Sequence, residues 1–196
     1  MPLLNAGDGN TPLTPEELAD LIPNLAVREE LNEWERENIL RARQWALARR
    51  NVRSSDPFSE VYIRKLHGRM FDQTWKWAGR YRKTEKTIGV PAGEMLEMLG
   101  ALLGDARYWK EHNTHPADEI AIRFHHRLAL IHLFPNGNGR HARMIADVIA
   151  LKSGRTVFTW GGLSLIKPGE AREKYLQAMR AADAGDTVPL IEFSRS

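Results

Sequence analysis

The sequence predicts an all-α fold, a helical bundle with one small extended flap. Apolar residues recur at helical spacing along most of the 196 residues. Residues that favour helix starts and helix ends bound these segments. Only the stretch 84–91 is rich in β-formers, with Thr87, Ile88 and Val90 close to a glycine and a proline. We therefore predict a short β-hairpin in this flap.

The N-terminal part of the chain is predicted to contain one short helix and one long helix. Residues 1–25 form a separate, partly flexible segment, in which Thr14 and Pro15 favour the start of the short helix. A single domain follows over residues 26–196, and its first helix spans about 26–50. Apolar contacts of this long helix are assigned to Val27, Leu31, Trp34, Ile39, Leu40, Trp45 and Leu47.

Six further helices are predicted, and the flap separates the first of them from the other five. Pro116 favours the start of the third, and Gly154 favours the end of the fourth. The glycine-rich stretch 134–139 must be a loop. These helices span about 59–75, 93–111, 116–133, 140–152, 168–182 and 186–194.

Composition excludes several classes of protein. The chain has no cysteine, which rules out a disulfide framework and thiolate metal sites and fits a reducing compartment. Its first 25 residues lack the basic and apolar regions of a signal peptide. No stretch approaches the roughly 18 apolar residues that a membrane helix requires. We therefore expect a cytoplasmic protein with no membrane partner.

The charge balance leaves two interpretations open. A net charge of +3 and a pI of about 9.3 fit a surface of mixed charge. They also fit affinity for an anion, either nucleic acid or a small phosphate ligand. The basic stretches 49–50 and 80–83 are too short to indicate nucleic acid by themselves.

The most informative stretch, residues 131–143, reads Ile-His-Leu-Phe-Pro-Asn-Gly-Asn-Gly-Arg-His-Ala-Arg. Gly137 and Gly139 allow the backbone to approach a ligand closely. A glycine-rich turn that opens a helix presents free N–H groups and a favourable dipole to an anion. Arg140 and Arg143, three residues apart, share one helix face and can each grip phosphate oxygens. The sequence therefore predicts a phosphate-binding site.

Two further side chains complete this predicted site. Asn138 adds an amide donor beside the glycines, and His132 ends the preceding helix across the loop. Imidazole titrates near neutral pH, so His132 is the natural general base. His125 and His126 precede it, but no acidic residue stands at a matching spacing to form a metal site with them. We therefore assign them to the core or to a supporting position behind the site.

The segment resembles the motif of the Fic family, which reads His-x-Phe-x-Asp/Glu-Gly-Asn-Gly-Arg-x-x-Arg. The similarity extends over about residues 30–193, and the combination of residues 75–90 with this loop resembles the branch called mobile mystery protein B. The matching positions are His132, Phe134, Gly137, Asn138, Gly139, Arg140 and Arg143.

This resemblance implies a Fic-type helical bundle and a protein adenylyltransferase that uses ATP. In such an enzyme His132 deprotonates a Ser, Thr or Tyr hydroxyl of a target protein, which attacks the α-phosphate. The amides of residues 137–139 and Asn138 stabilise the transferred phosphate, and Phe134 holds the loop. Arg140 and Arg143 orient the β- and γ-phosphates. The flap residues Thr87, Ile88 and Gly89 pair with the target as an added strand.

Two positions bear on metal binding and inhibition. Asn136 stands where the family has Asp or Glu, the carboxylate that binds Mg²⁺ or Mn²⁺, so only a weak metal ligand remains. Many relatives carry an inhibitory Glu that pairs with the second motif arginine. Glu37 is the candidate here because Asn38 follows it, although Glu33 replaces the usual Ser or Thr. A solvated helix face is the alternative for Glu37.

Several functional alternatives remain open from the sequence. The same scaffold could transfer another nucleotidyl group or a phosphoryl group, or could bind a nucleotide or a partner without catalysis. A toxin encoded on mobile DNA is one form of the leading hypothesis, with an antitoxin-like inhibitor as partner. A homodimer is a further alternative, and nucleic acid is disfavoured as a partner.

Overall fold

The computed structural model describes residues 13–25, 27–162 and 169–196. Within these ranges the regular structure is almost entirely α-helical, which confirms the predicted fold class. Leu21 and Trp75 form an isolated antiparallel bridge there. The helices are α1 (Pro15–Ala19), α2 (Arg28–Leu47), α3 (Arg49–Ser54), α4 (Glu60–Phe71), α5 (Met95–His112), α6 (Ala117–Ile131), α7 (Asn138–Lys152), α8 (Glu170–Asp183) and α9 (Val188–Arg195).

Helices α6 and α7 form the most extensive helix pair and lie at the centre of the molecule. Helices α2 and α4 pack on α7, and α5 packs on α6. Fully buried apolar side chains from these helices, such as Ile63, Phe124 and Ile145, fill the space between them. The loop that joins α6 to α7 is therefore held by two well-packed helices. Among the described helices, none is long and apolar enough to cross a membrane.

Helix α1 forms as the sequence predicts. The Thr14 hydroxyl accepts a hydrogen bond from the Glu17 amide at 3.2 Å, and the Glu17 carboxylate accepts one from the Thr14 amide at 2.9 Å. This reciprocal arrangement satisfies two of the donors that a helix N-terminus leaves free. Pro15 occupies the first turn. Residues 1–12 of the predicted N-terminal segment lie outside the described residues.

The predicted long helix is divided in two. The chain leaves helical geometry at Ala48, where ψ is 130°, and resumes it at once in α3. The buried face of α2 also differs from the prediction, since Trp34 and Leu40 are 45% and 52% exposed. The core side carries the predicted Leu31 together with Glu35, Asn38, Ala42 and Ala46. The hydrophobicity pattern did not reveal this buried face, because two of its residues, Glu35 and Asn38, are polar.

The flap contains no β-hairpin in the described structure. Residues 83–91 form bends and irregular backbone before a 3₁₀ turn, Ala92–Glu94. No backbone ladder crosses the flap within the described part of the chain. The Arg82 side chain instead donates hydrogen bonds to carbonyl groups at both of its ends, Thr84 and Val90. A side chain, rather than a second strand, therefore binds the two ends of the flap.

Candidate active site

The loop between α6 and α7 begins with an unusual backbone conformation at His132. Helix α6 ends at Ile131, and His132 follows with φ 57° and ψ 57°, the left-handed region. Non-glycine residues are uncommon there, and such residues cluster at functional sites. The predicted general base is therefore the residue at which the chain turns out of α6.

The imidazole of His132 lies in an environment that keeps it neutral. The residue is only 5% exposed. Burial, helped by the positive charges of Arg82 and Lys86, lowers the pKa of His132 to about 4. Gly89 of the flap passes so close that a Cβ there would lie 2.5 Å from the His132 Cβ. A neutral imidazole is the form that can accept a proton.

We expect an NMR titration of His132 to give a midpoint near 4. At pH 6 the ring would then be neutral, whereas an ordinary histidine with a pKa of about 6.5 would be about three-quarters protonated. The pKa of His132 should rise in Lys86→Met, because that variant removes a positive charge near the ring. A midpoint above 6 in the wild type would contradict this assignment.

The opposite side of the loop is an open helix N-terminus. Gly137 precedes α7 with φ 80° and provides no side chain to cap it. The amides of Asn138, Gly139 and Arg140 begin this 15-residue helix and have no partner within it. Such a terminus attracts anions through its free N–H groups and its dipole. The structure thus places the predicted glycine turn at the N-terminus of α7, where Gly137 and Asn138 are buried and Gly139 and Arg140 are half-exposed.

The side chain of Asn138 has a different task from the predicted one. Its Oδ1 accepts a hydrogen bond from the Phe134 amide at 2.9 Å, and its Nδ2 donates to the Phe134 carbonyl at 2.8 Å. These bonds engage both ends of the amide with the loop backbone. The side chain of Asn138 therefore shapes the loop.

Arg140 is held by an acidic side chain that the sequence did not indicate. Its Nη1 lies 2.5 Å from Oε2 of Glu35, whose Oε1 accepts a hydrogen bond from Trp75 Nε1 at 2.8 Å. The guanidinium also lies over the Phe71 ring, 5.0 Å from its centre. Glu35 is buried, so this ion pair is shielded from water.

The second motif arginine has no such carboxylate partner. The Arg143 guanidinium lies 5.3 Å from the centre of the Tyr175 ring, and within the described part of the chain Arg143 makes no salt bridge. Glu37, the predicted inhibitory residue, lies 3.5 Å from Arg41, and its side chain is 57% exposed. The structure does not bring Glu37 to Arg143, and the acidic residue that reaches a motif arginine is Glu35.

Asn136 does not form a good magnesium ligand. Its Oδ1 accepts a hydrogen bond from the Gly137 amide at 2.6 Å and one from Arg140 at 3.4 Å. Across the described ranges, no group of three or more acidic, histidine or cysteine side chains could hold a metal ion. Mg²⁺ favours charged oxygen ligands, and the loop offers none. The residues present therefore do not fit a protein-bound metal.

His67 of α4 contacts the loop between α6 and α7 through a hydrogen bond and a ring stack, and the sequence analysis missed it. Its Nδ1 accepts a hydrogen bond from the Gly79 amide at 3.0 Å, so Nε2 carries the proton and donates to the Asn136 carbonyl at 3.1 Å. The ring stacks on Phe134 with 3.7 Å between ring centres. Burial lowers the pKa of His67 well below 6.5. His67 lies on the apolar face of α4, so the sequence pattern did not distinguish it from a residue that only packs in the core.

The flap presents the three predicted target-binding residues to solvent. Thr87, Ile88 and Gly89 are exposed, Ile88 by 51%. Beside them, the side chain of Lys86 is buried and pairs with Glu17 of α1 at 2.5 Å. Helix α1 thus fixes one side of the flap.

The two histidines upstream of His132 lie in the core, where the sequence analysis placed them. His125 is fully buried, and its Nε2 lies 3.2 Å from the Tyr175 hydroxyl. The Nε2 atom of His126 lies 2.7 Å from an Asp183 carboxylate oxygen. These contacts join α6 to α8.

A histidine in the left-handed region, one short loop away from a helix N-terminus in a helical bundle, defines a class of site suited to transfer of a phosphate-containing group. Residues 57–150, just under half of the chain, match the model of the Fic/DOC family. The motif loop lies inside this match.

Curated relatives resemble the same part of the chain. The protein adenylyltransferase fic-1 of Caenorhabditis elegans is 31% identical over 119 residues, which cover 59% of this chain and 22% of the relative. Protein adenylyltransferase Fic of Nematostella vectensis is 31% identical over 119 residues, with 59% and 26% covered. The matched region therefore spans about a quarter of these relatives.

Solved structures show the fold over almost the whole chain. Fic-1 from C. elegans is 25% identical with a TM-score of 0.61, covering 91% of this chain and 51% of that one. BepC, a VirB-translocated effector from Bartonella tribocorum with bound AMPPNP, is 18% identical with a TM-score of 0.67. That match covers 93% of this chain and 97% of BepC.

Proposed function

We propose that this protein is a protein adenylyltransferase, which transfers AMP from ATP to a Ser, Thr or Tyr hydroxyl of a target protein. The observation that carries the proposal is the placement of a neutral, buried His132 across one short loop from the open N-terminus of α7. The first element can accept a proton, and the second can stabilise a phosphate. The names of the curated relatives support the same reaction.

The proposed reaction balances with the groups present. A ring nitrogen of His132 accepts the proton of the target hydroxyl, and the hydroxyl oxygen forms a bond to the α-phosphorus of ATP. The bond from that phosphorus to the bridging oxygen breaks, and pyrophosphate leaves. Main-chain amides at residues 138–140 stabilise the added charge on the α-phosphate. Arg143 binds the outer phosphates, and Arg140 joins it once it is released from Glu35.

A metal ion has a limited place in this scheme. Asn136 brings no charge, so we assign no step to a protein-bound ion. Mg²⁺ or Mn²⁺ would enter as the counter-ion of the ATP phosphates. Because Asn136 replaces the Asp or Glu of the family motif, a second candidate function is transfer of another nucleotidyl group or of a phosphoryl group.

The biological setting is proposed on the resemblance of the sequence. The motif loop together with residues 75–90 supports membership of the mobile mystery protein B branch. A cytoplasmic toxin with an antitoxin-like partner is consistent with that branch, and the bacterial effector BepC shares the fold. A homodimer is a further proposal that sedimentation can test.

Radiolabelled ATP distinguishes these reactions directly. The purified protein is incubated with cell lysate and Mg²⁺ or Mn²⁺, using ATP labelled at either the α- or the γ-phosphate. Protein label from the α-phosphate alone, lost in His132→Ala, is the expected result. Label from the γ-phosphate would instead establish phosphorylation. No label with either nucleotide would contradict the proposed transfer.

We expect Glu35→Gln to destabilise the fold and to strengthen ATP binding. The variant keeps the shape of the side chain but leaves Arg140 without its charged partner, which should lower the free energy of unfolding by up to about 3 kcal/mol. The released guanidinium can then bind phosphate. Urea unfolding and calorimetric titration with ATP measure the two effects.

Glu33→Gln is the matched control, because Glu33 lies on the same helix in an exposed ion pair with Arg36. It should change neither stability nor ATP affinity measurably. Equal ATP affinity in Glu35→Gln and the wild type would show that Arg140 does not reach the nucleotide.

A further inference from the structure

Arg82, at the base of the flap, holds an unusual set of hydrogen bonds. Its side chain is fully buried. Nε donates to the His132 carbonyl at 2.7 Å, Nη1 donates to the Thr84 carbonyl at 2.8 Å, and Nη2 donates to the Val90 carbonyl. Its main-chain N–H donates to the Leu133 carbonyl at 2.9 Å. One residue thus joins the two ends of the flap to the turn that carries the proposed base.

The geometry of this contact depends on the guanidinium. Its donors lie in one rigid plane, so three carbonyl groups bound to it have fixed relative positions. Thr84 and Val90 close the flap without any strand pairing. As a result, residues 87–89 make no hydrogen bond with the described part of the chain, and their main-chain groups stay available to an added strand.

The charge of Arg82 is poorly compensated for a buried group. Within the described structure its only carboxylate within ion-pair distance is Glu85, at 3.8 Å and largely exposed. The Glu85 carboxylate also accepts the Ala92 amide at 3.0 Å. Burial of such a charge is costly unless its hydrogen bonds are met. The three carbonyl groups accept three of its five N–H donors, so the guanidinium and the flap conformation depend on each other.

We propose that Arg82 is a positioning residue that fixes the register between the flap and His132, so that a target segment paired with residues 87–89 presents its hydroxyl to the imidazole. Arg82 itself touches neither nucleotide nor target. The inference rests on the proposed function, because the register matters only if a target hydroxyl must meet this base.

The test compares Arg82→Lys and Arg82→Met with Lys83→Met, which removes the adjacent exposed cation. ATP affinity should be unchanged in all three variants, because the anion site lies at α7. Amide hydrogen exchange at the two ends of the flap, residues 82 and 92, should be faster in both Arg82 variants, because these amides donate to the Leu133 carbonyl and the Glu85 carboxylate. Label incorporation from α-labelled ATP should fall about 100-fold through kcat, with an unchanged KM for ATP. Lysine keeps the charge but lacks the planar fork, so it should not rescue transfer.

Each contrary result has a distinct meaning. Wild-type labelling by Arg82→Met would overturn the inference, as would wild-type exchange of the flap amides. Loss of ATP binding together with lower thermal stability would reduce Arg82 to a purely structural residue. If the wild-type protein transfers no label at all, the proposed function fails. The exchange experiment still tests Arg82 in that case: faster exchange in the variants would show that Arg82 orders the flap, and unchanged exchange would show that it does not.

Discussion

Replacing His132 with alanine is expected to lower the rate of AMP transfer by about 10²–10⁴-fold, the usual contribution of a general base. The buried ring is neutral at pH 7, and the hydroxyl of a target has no other proton acceptor in the loop, where Asn138 and Asn136 are amides with engaged oxygens. Single-turnover labelling with α-labelled ATP measures the chemical step. ATP affinity should stay unchanged, because the binding groups lie on α7.

Two further variants make this result interpretable. His132→Asn tolerates the left-handed backbone at this position, so it should keep the fold while it removes the base. His112→Ala removes an exposed histidine at the end of α5 and should transfer label normally. Transfer by His132→Asn at the wild-type rate would show that the proton leaves by another route.

Features that depend on neighbouring residues were predictable from the sequence. The helix cap at Thr14 and Glu17 joins residues three apart, and the turn at Gly137 depends on a local backbone conformation. By contrast, the contacts that complete the site are distant in the sequence. Glu35 lies 105 residues from Arg140, and Arg82 lies 50 from His132. No pattern within one segment indicates such pairs, because tertiary packing creates them.

The long N-terminal helix shows a second limit of local analysis. Residues 26–50 contain no proline or glycine, so helix propensity alone predicts a continuous helix. The structure breaks it at Ala48, where the Asn51 side chain donates to the Trp45 carbonyl at 2.6 Å and satisfies the end of α2. Helix α3 then packs on α7. Tertiary contacts override propensity here.

Gly137→Ala is expected to damage both the fold and the anion site. A Cβ at this position would lie 2.5 Å and 2.6 Å from ring atoms of Phe71, which is fully buried and has no room to move. The positive φ adds strain for any side chain. Together these effects should lower the free energy of unfolding by about 2–4 kcal/mol. The Arg140 guanidinium, which lies over the same ring, should shift as well.

Gly139→Ala is expected to affect ATP binding without lowering the stability of the fold. A Cβ there meets only the end of the Arg143 side chain, at 3.8 Å, which is ordinary contact. The variant should be as stable as the wild type or gain up to about 1 kcal/mol, since alanine favours a helix. It should nevertheless weaken ATP binding, because its methyl group obstructs the approach of phosphate to the α7 amides. Urea unfolding and ATP titration of both variants measure these effects. A Gly139→Ala protein that binds ATP normally would place the phosphates away from the α7 N-terminus, and a fully stable Gly137→Ala protein would contradict the packing of this loop on Phe71.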